Sequence, residues 1–466
     1  MPGHGQTKEK IMEREKLKSR LGFILISAGC AIGIGNVWKF PYMVGQYGGG
    51  IFVLIYLICL LIMGIPALTV EFSLGRASGK SPVKLFQQLE RPGHKWHFHG
   101  YASFAANYIL MMFYTIVSGW MLKYVWLTLT GAFNGLDAAG VGKVFDSVTA
   151  DPYGMVLFMG ITVVLGFAVC ALGVQNGLER VTKVMMIALL VIMIVLAINS
   201  ALLPGGEAGL EFYLKPDIDK LMEHGIINVI IAAMNQAFFT LSIGIGSMAI
   251  FGSYIGRERS LLGEATNVAL LDTFVALCSG LIIFPACFAY GVDVNSGPSL
   301  LFVTLPNIFN NLPLGGVWGT LFFIFMSFAA LSTVFAVFEN IIACTTDLFN
   351  ISRKKACVIN CILMFILSLP CALGFNLLSF IKPLGEGTNI MDLEDFIVSN
   401  IMLPIGAVIF TVFAVNKFGF GWDKFTTEAN AGKGLKVAKW MKWYYKIVLP
   451  IIILTIFVFG LINFFK

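Results

Sequence analysis

Two stretches of the chain repeat the run Ile-Gly-Ile-Gly, and both carry groups that could bind an ion or a small charged molecule. The first run, 32–35, is followed by Asn36, and the second, 243–246, follows Thr240 and Ser242. Two glycines in one turn weaken a helix by about 1 kcal/mol each relative to Ala. An unwound turn exposes carbonyls that bind cations and amides that bind carboxylates. Alternatively, the glycines allow a close helix–helix contact.

Oxygen-bearing side chains also interrupt two apolar stretches farther along the chain. Asp272 lies within Leu-Leu-Asp-Thr-Phe, and Ser332 and Thr333 follow Ala-Ala-Leu. An unpaired carboxylate at the bilayer centre costs at least ~2.5 kcal/mol, so we expect Asp272 to meet a cation. A structural, hydrogen-bonded aspartate is the alternative. The two hydroxyls either bond the preceding turn or donate oxygens to sodium.

Composition places these groups in a membrane. The chain has 466 residues, of which 58% are hydrophobic and 12% charged, against about 25% charged in soluble domains. A membrane helix needs about 20 apolar residues, and we predict an all-α polytopic protein with eleven such spans. They cover 21–46, 50–74, 98–130, 154–173, 178–203, 226–255, 262–290, 316–349, 355–374, 391–416 and 440–464.

The distribution of charge predicts the orientation of the spans. Most of the 32 Lys and Arg residues lie on one side if the N-terminus is cytoplasmic, which the positive-inside rule favours. Eleven spans then leave the C-terminus outside a multi-pass protein of the cell membrane. We predict a surface loop at 416–440 and a short interfacial helix at 211–223.

The first broken stretch resembles a known family. Residues 20–25 (Arg-Leu-Gly-Phe-Ile-Leu), 31–42 (Ala-Ile-Gly-Ile-Gly-Asn-Val-Trp-Lys-Phe-Pro-Tyr) and 48–50 (Gly-Gly-Gly) resemble the opening of the neurotransmitter:sodium symporters. Residues 236–242 and 252–254 are similar to a later segment of the same family. The likeness runs from Arg14 to the end of the eleventh span, as in the shorter bacterial amino-acid transporters.

The resemblance implies two inverted five-helix repeats with broken helices 1 and 6. The expected division is a cytoplasmic N-terminal segment 1–20, repeat one at 21–203, repeat two at 226–416 and a last helix at 440–464.

The resemblance also implies two sodium sites. The first would comprise the Ala31 carbonyl, Asn36, Thr240 and Asp272, with the substrate carboxylate. The second would comprise the carbonyls of Gly29, Ile32 and Ala329 and the hydroxyls of Ser332 and Thr333. Such a set of hard oxygens suits an alkali cation.

By the same resemblance, an amino acid would bind between the breaks. Its carboxylate would meet the Ile34 and Gly35 amides and the Tyr114 hydroxyl. Its amino group would meet the carbonyls of Ala31, Phe239 and Thr240 and the Ser242 hydroxyl. Its side chain would contact Leu110, Tyr114, Phe239, Ile245, Thr333 and Val337. This pocket is apolar, so we expect a hydrophobic or aromatic side chain. Relatives that carry monoamines have an aspartate where this chain has Gly33, which points to an amino acid as the substrate.

Gates are implied on both sides of this site. The outer gate would pair Lys39 with Asp395, and the inner gate would pair Arg14 with Asp347, supported by Tyr254. Lys39 replaces the usual arginine and cannot form a bidentate fork.

Chloride-dependent relatives bind the anion with Tyr, Gln and Ser side chains. Tyr56 and Gln236 match, but Ala276 stands at the serine position and Asp272 at a neighbouring asparagine position. We therefore hypothesise a chloride-independent transporter in which Asp272 supplies the missing negative charge.

These observations predict a sodium-coupled amino-acid symporter in the lipid bilayer, with no nucleic-acid partner; the oligomeric state is not predicted. An enzyme would need a nucleophile–base pair or metal cluster at membrane depth, whereas the five His lie in terminal or loop segments. A channel would need a symmetric polar pore, whereas the polar groups of this chain converge on the two broken helices. A non-transporting amino-acid sensor on the same fold remains the alternative.

Overall fold

A computed structural model describes residues 17, 19–291, 300–310 and 312–464, and it is helical almost throughout. Within those ranges no strand forms, and one isolated bridge joins Arg259 to Lys433. The helices are α1 Arg20–Ala31, α2 Gly35–Gln46, α3 Gly50–Ser78, α4 Pro82–Leu89, α5 His97–Leu129, α6 Ala138–Ala150, α7 Pro152–Ala171, α8 Val174–Ala201, α9 Glu207–Leu214, α10 Ile218–His224, α11 Ile226–Thr240, α12 Ser247–Gly252, α13 Leu261–Ala289, α14 Leu301–Asn310, α15 Gly315–Phe349, α16 Arg353–Leu373, α17 Ile390–Val415, α18 Trp422–Ala429 and α19 Met441–Ile462.

The predicted all-α membrane fold is confirmed. Among the described residues, nine helices are long and apolar enough to cross a membrane, and α1 with α2, bent by 55°, makes ten. The predicted count of eleven is not reached by this measure. The sixth predicted span, 226–255, is divided into α11 of 15 residues and α12 of six. The sequence pattern runs across that division because the intervening residues are apolar too.

The first break follows Ala31, where the chain turns from helix to extended backbone at Ile32 (φ −70°, ψ 100°). Backbone groups that have no helical partner at the break form hydrogen bonds with nearby residues. The Gly33 amide donates to Asn36 Oδ1 at 3.0 Å, and the Ser279 hydroxyl donates to the Asn36 carbonyl at 2.7 Å. Asn36 therefore stabilises the unwound turn with its own side chain.

The second break contains three residues with positive φ: Ser242 (50°), Gly244 (100°) and Gly246 (73°). A side chain at Gly244 is excluded twice, because its φ disfavours any Cβ and a Cβ there would lie 2.1 Å from the Leu403 carbonyl oxygen. The Gly244 amide donates to Glu71 Oε1 at 2.5 Å. This buried carboxylate from α3 thus stabilises the unwound backbone.

The two breaks lie against each other in the core. The Ser242 hydroxyl donates to the Cys30 carbonyl at 3.3 Å, and Gln236 Nε2 donates to the Gly35 carbonyl at 2.7 Å. The two Ile-Gly-Ile-Gly runs therefore correspond to two unwound turns that lie side by side. Hydrogen bonds connect the first turn with the second and with the helix that leads into it.

The connecting segments hold more helix than the sequence predicts. The interfacial helix predicted at 211–223 is two helices, α9 and α10, separated at Pro216, with Asp217 capping α10. The segment predicted as a surface loop at 416–440 contains α18. Its Glu428 is buried, and Oε1 lies 2.6 Å from Arg76 Nε on α3. A contact across 352 residues leaves no local signal in the sequence.

Replacing Glu428 by glutamine tests whether this buried ion pair holds α18 to the helix bundle. The Arg76 side chain is only 3% exposed, so its charge would lose its partner inside the protein. We expect E428Q to lower the free energy of unfolding by about 3–5 kcal/mol. The measurement is the apparent thermal midpoint in detergent, which should fall by several degrees.

The matched control is E386Q. Glu386 also pairs with a lysine, Lys382, but its side chain is 92% exposed, and exposed pairs contribute about 0–1 kcal/mol. Equal midpoints for E428Q and the unaltered protein would contradict a structural role for the buried pair.

Candidate functional site

Asp272 is fully buried on α13 between the two broken helices. Asn36 Nδ2 donates to Asp272 Oδ1 at 2.8 Å and to its carbonyl at 3.1 Å, and the Thr240 hydroxyl lies 3.1 Å and 3.2 Å from the two carboxylate oxygens. The structure thus brings together the three side chains predicted for the first sodium. Among the described residues no group of three or more His, Cys, Asp and Glu could hold a metal ion. The oxygens gathered here include a single carboxylate, that of Asp272.

A second group of oxygens surrounds the first break. The Ser332 hydroxyl on α15 lies 3.2 Å from the Ile32 carbonyl and 2.9 Å from the Ala329 carbonyl. The Thr333 hydroxyl lies 3.3 Å from the Gly29 and Ile32 carbonyls. All five oxygens predicted for the second sodium therefore converge. They are neutral and hard, which fits a monovalent alkali cation better than a transition metal.

A narrow cavity of about 10 Å³ lies between the breaks. It is lined by Cys30, Ala31, Gly33, Gly35, Leu110, Tyr114, Phe239, Ser242, Ile245, Thr333 and Leu403.

Most of the predicted substrate residues are in that lining, and three are elsewhere. Ile34 lines an outer cavity, Thr240 faces Asp272, and Val337 is buried away from the lining. The sequence analysis missed Leu403 and gave no role to Cys30. The position of Cys30 beside the break could have indicated it, whereas Leu403 reaches the cavity only through the packing of α17 against the second break.

One end of the central cavity is polar and tightly packed. The Ile34 amide donates to the Tyr114 hydroxyl at 2.9 Å, which places two of the groups predicted to bind a carboxylate side by side. A Cβ at Gly33 would lie 2.1 Å from the Tyr114 hydroxyl oxygen and 2.4 Å from Thr333 Oγ1. The cavity therefore has no room for any side chain at position 33.

An outer cavity of about 250 Å³ lies above the central one, and Tyr114 and Phe239 line both. These two aromatic rings therefore separate the cavities. Lys39 Nζ lies 3.2 Å from both Asp395 carboxylate oxygens, 3.2 Å from the Ser399 hydroxyl and 4.1 Å from the Phe239 ring centre. The predicted outer pair is thus in contact, and the Lys39 ammonium also forms a cation–π contact with the Phe239 ring.

The inner gate is only partly described. Arg14 lies outside the described residues, and the Asp347 carboxylate accepts from the Ser81 amide at 2.8 Å. The Tyr254 hydroxyl, on the residue expected to support that pair, donates to Glu339 Oε1 at 2.7 Å. Arg353 donates to the same oxygen at 2.9 Å. The sequence analysis did not assign this buried pair to the inner side, because its partners belong to separate helices.

Comparison with known proteins agrees with this geometry. A model of the sodium:neurotransmitter symporter family matches residues 14–136 and 145–466. An uncharacterized sodium-dependent transporter of Bacillus subtilis, YhdH, is 34% identical over 96% of this chain and 98% of its own length. Another from Methanocaldococcus jannaschii is 32% identical over 96% and 90%. A human sodium- and chloride-dependent taurine transporter is 24% identical over 97% of this chain and 79% of its own.

The fold has a solved counterpart as well. The crystal structure of MhsT in complex with L-phenylalanine superposes with a TM-score of 0.86 at 36% identity, covering 96% of this chain and 99% of that one. The family match covers nearly the whole chain, and the similar transporters and the solved structure are covered over most of their length. These findings agree with the geometry, in which two broken helices meet around buried oxygens. The chain belongs to the sodium:neurotransmitter symporter family.

Proposed function

We propose that this protein is a sodium-coupled symporter that imports a hydrophobic or aromatic amino acid by alternating access. The observation that carries the proposal is the narrow central cavity, whose lining is mostly apolar and which lies between two groups of buried oxygens. MhsT, a similar protein, was solved with L-phenylalanine, a ligand of this class. No covalent chemistry is part of the proposal.

In the proposed complex, the polar end of the cavity binds the common part of an amino acid. The Ile34 and Gly35 amides and the Tyr114 hydroxyl receive the carboxylate, which completes the first sodium site. The amino group meets the carbonyls of Ala31, Phe239 and Thr240 and the hydroxyl of Ser242. Leu110 and Ile245 then contact the substrate side chain.

The same sites explain how transport would be coupled. The second sodium joins the first break to α15 through Ser332 and Thr333, so its binding favours one arrangement of these helices. Lys39 and Asp395 close the outer side over Phe239. The Lys39 and Asp395 side chains are 19% and 37% exposed, so the pair contributes only about 0–1 kcal/mol and opens easily. Arg14, Asp347 and Tyr254 are proposed for the inner gate.

We also propose that transport needs sodium but no chloride. The carboxylate of Asp272 is buried without a cationic side chain within ion-pair distance among the described residues. Ala276, where chloride-binding relatives have serine, removes a hydroxyl ligand. A fixed negative charge at Asp272 would balance the first sodium in place of the anion. We propose, from the distribution of Lys and Arg, that the N-terminus lies in the cytoplasm and the C-terminus outside.

Accumulation of labelled amino acid in proteoliposomes tests transport itself. We expect an inward sodium gradient to drive saturable accumulation of phenylalanine or another apolar amino acid above its external concentration. A potassium gradient of equal size is the control and should give only equilibration.

The alternative function, an amino-acid sensor on this fold, makes a different prediction. A sensor would bind the amino acid and show a sodium-dependent rise in thermal midpoint, about 2.7 kcal/mol of stabilisation at 100 times Kd, but would not accumulate it. Screening the twenty amino acids by thermal shift first identifies the substrate to label. No sodium-dependent shift with any apolar amino acid would contradict both functions.

The Gly33→Ala variant tests where the substrate binds. Its new methyl group would overlap the Tyr114 and Thr333 hydroxyls, so we expect the apparent Kd for the amino acid to rise at least tenfold, or about 1.4 kcal/mol. The control is Gly316→Ala, which has nothing within 4 Å of the added atom and should change the Kd less than twofold. Equal affinities in the two variants would exclude the cavity as the site.

Replacing external chloride by gluconate tests the role of Asp272. Uptake by the unaltered protein should not change, because no anion site needs filling. The Asp272→Asn variant loses the fixed charge, and we expect its uptake to fall at least tenfold and its sodium dependence to shift to higher concentrations. A sharp loss of uptake by the unaltered protein in gluconate would refute chloride independence.

A further inference from the structure

The segment that leads into α19 exposes a dense set of positive charges. Its exposed lysines are Lys433, Lys436, Lys439, Lys442 and Lys446. The sequence contains no Asp or Glu after Glu428, so no acidic neighbour follows them. Among the described residues none of these lysines forms an ion pair. We refer to residues 433–446 as the basic segment.

Large apolar side chains are interleaved with these charges. Trp440 is 71% exposed, Trp443 68% and Leu435 58%. The helix α19 begins at Met441 and is apolar enough to cross a membrane, so the two tryptophans lie where it would enter the bilayer. Tryptophan favours that interface, and lysine there reaches toward lipid phosphates.

The basic segment is held in place by its backbone. Asn430 forms two hydrogen bonds with Val437, accepting from its amide at 2.7 Å and donating to its carbonyl at 2.9 Å. The Lys433 amide donates to the Glu258 carbonyl at 3.0 Å, and the Lys433 carbonyl accepts from the Ser260 amide at 3.1 Å. Because the segment is already ordered, binding a ligand here would cost little conformational entropy.

These neighbours also indicate which lysines matter most. Glu258 is exposed and adds a negative charge at the Lys433 end of the segment. Lys436, Lys439 and Lys442 lie farther along the chain, and Lys439 and Lys442 flank Trp440. The geometry therefore favours a ligand that has both a negative headgroup and an apolar part at the depth of the tryptophans.

We propose that the basic segment binds the headgroups of anionic phospholipids at the membrane surface. Lysines near an anionic surface each strengthen binding by about fivefold, and the apolar side chains add contact with the acyl region. Nucleic acid or an acidic peptide would pair with the lysines, but neither would account for the two exposed tryptophans, Trp440 and Trp443, at the depth of the membrane interface. A bound lipid would lie against residues 258–260, in the loop that connects α12 to α13.

Binding of phosphatidylglycerol to the full chain in neutral detergent tests the proposal, with native mass spectrometry as the readout. Phosphatidylcholine is the comparison lipid, and inorganic phosphate is the comparison for a free anion. We expect phosphatidylglycerol to be retained in preference to phosphatidylcholine. The K439Q/K442Q variant should weaken that binding by on the order of 30-fold, the product of two fivefold effects.

The matched control is K354Q/K355Q. It removes two exposed lysines at the start of α16, on the same side of the membrane, and so changes the net charge equally. This control should bind phosphatidylglycerol within about twofold of the unaltered protein. Both variants have exposed substitutions, and an unchanged thermal midpoint without lipid shows that each is folded.

Three results would overturn the proposal. Equal loss of binding in the two double variants would show that the lysines act only through net charge. Equal retention of phosphatidylcholine would show that the headgroup charge is irrelevant. Competition by inorganic phosphate at millimolar concentration would assign the segment to a free anion instead.

Discussion

The structure depends on one constraint: backbone polar groups inside a bilayer must find partners within the protein. A continuous helix meets this constraint by pairing its own backbone groups, whereas each broken helix leaves some of them unpaired. Those groups are paired instead with residues of the same break, of the other broken helix or of adjacent helices. Asn36 bonds Gly33 within the first break, Glu71 bonds Gly244 in the second, and Gln236 bonds the Gly35 carbonyl between them. The backbone groups that the breaks leave free therefore find hydrogen-bond partners inside the protein.

This pairing makes ligand binding and helix arrangement parts of one equilibrium. The Ser332 and Thr333 hydroxyls donate to the carbonyls of the first break. A cation at this position would draw the same carbonyl and hydroxyl oxygens toward itself, replacing those hydrogen bonds. Binding would then alter the contacts that join the first helix to α15. A transporter needs this property, because ligands can shift only equilibria whose states they bind differently.

The ion pairs on the proposed outer and inner sides of the site differ in how deeply they are buried. On the outer side, Lys39 and Asp395 form a partly exposed pair that lines the outer cavity. On the inner side, Glu339 is fully buried and bonded to both Tyr254 and Arg353. Exposed pairs open at little cost, whereas a buried charge that loses its partner destabilises its surroundings strongly. If these pairs act as the proposed gates, the outer one would separate at lower cost than the inner one.

The sequence by itself determined the membrane class, the positions of the spans and the two breaks, because hydropathy and glycine act over short distances. It also indicated candidate oxygen ligands, because a carboxylate or two adjacent hydroxyls within an apolar stretch must be paired with other polar groups or with an ion. Only the tertiary structure decided that Leu403 and Cys30 line the cavity, that Tyr254 bonds Glu339, and that Glu428 is buried beside Arg76. Those contacts join residues far apart in the chain, and their energies arise only once the helices have packed.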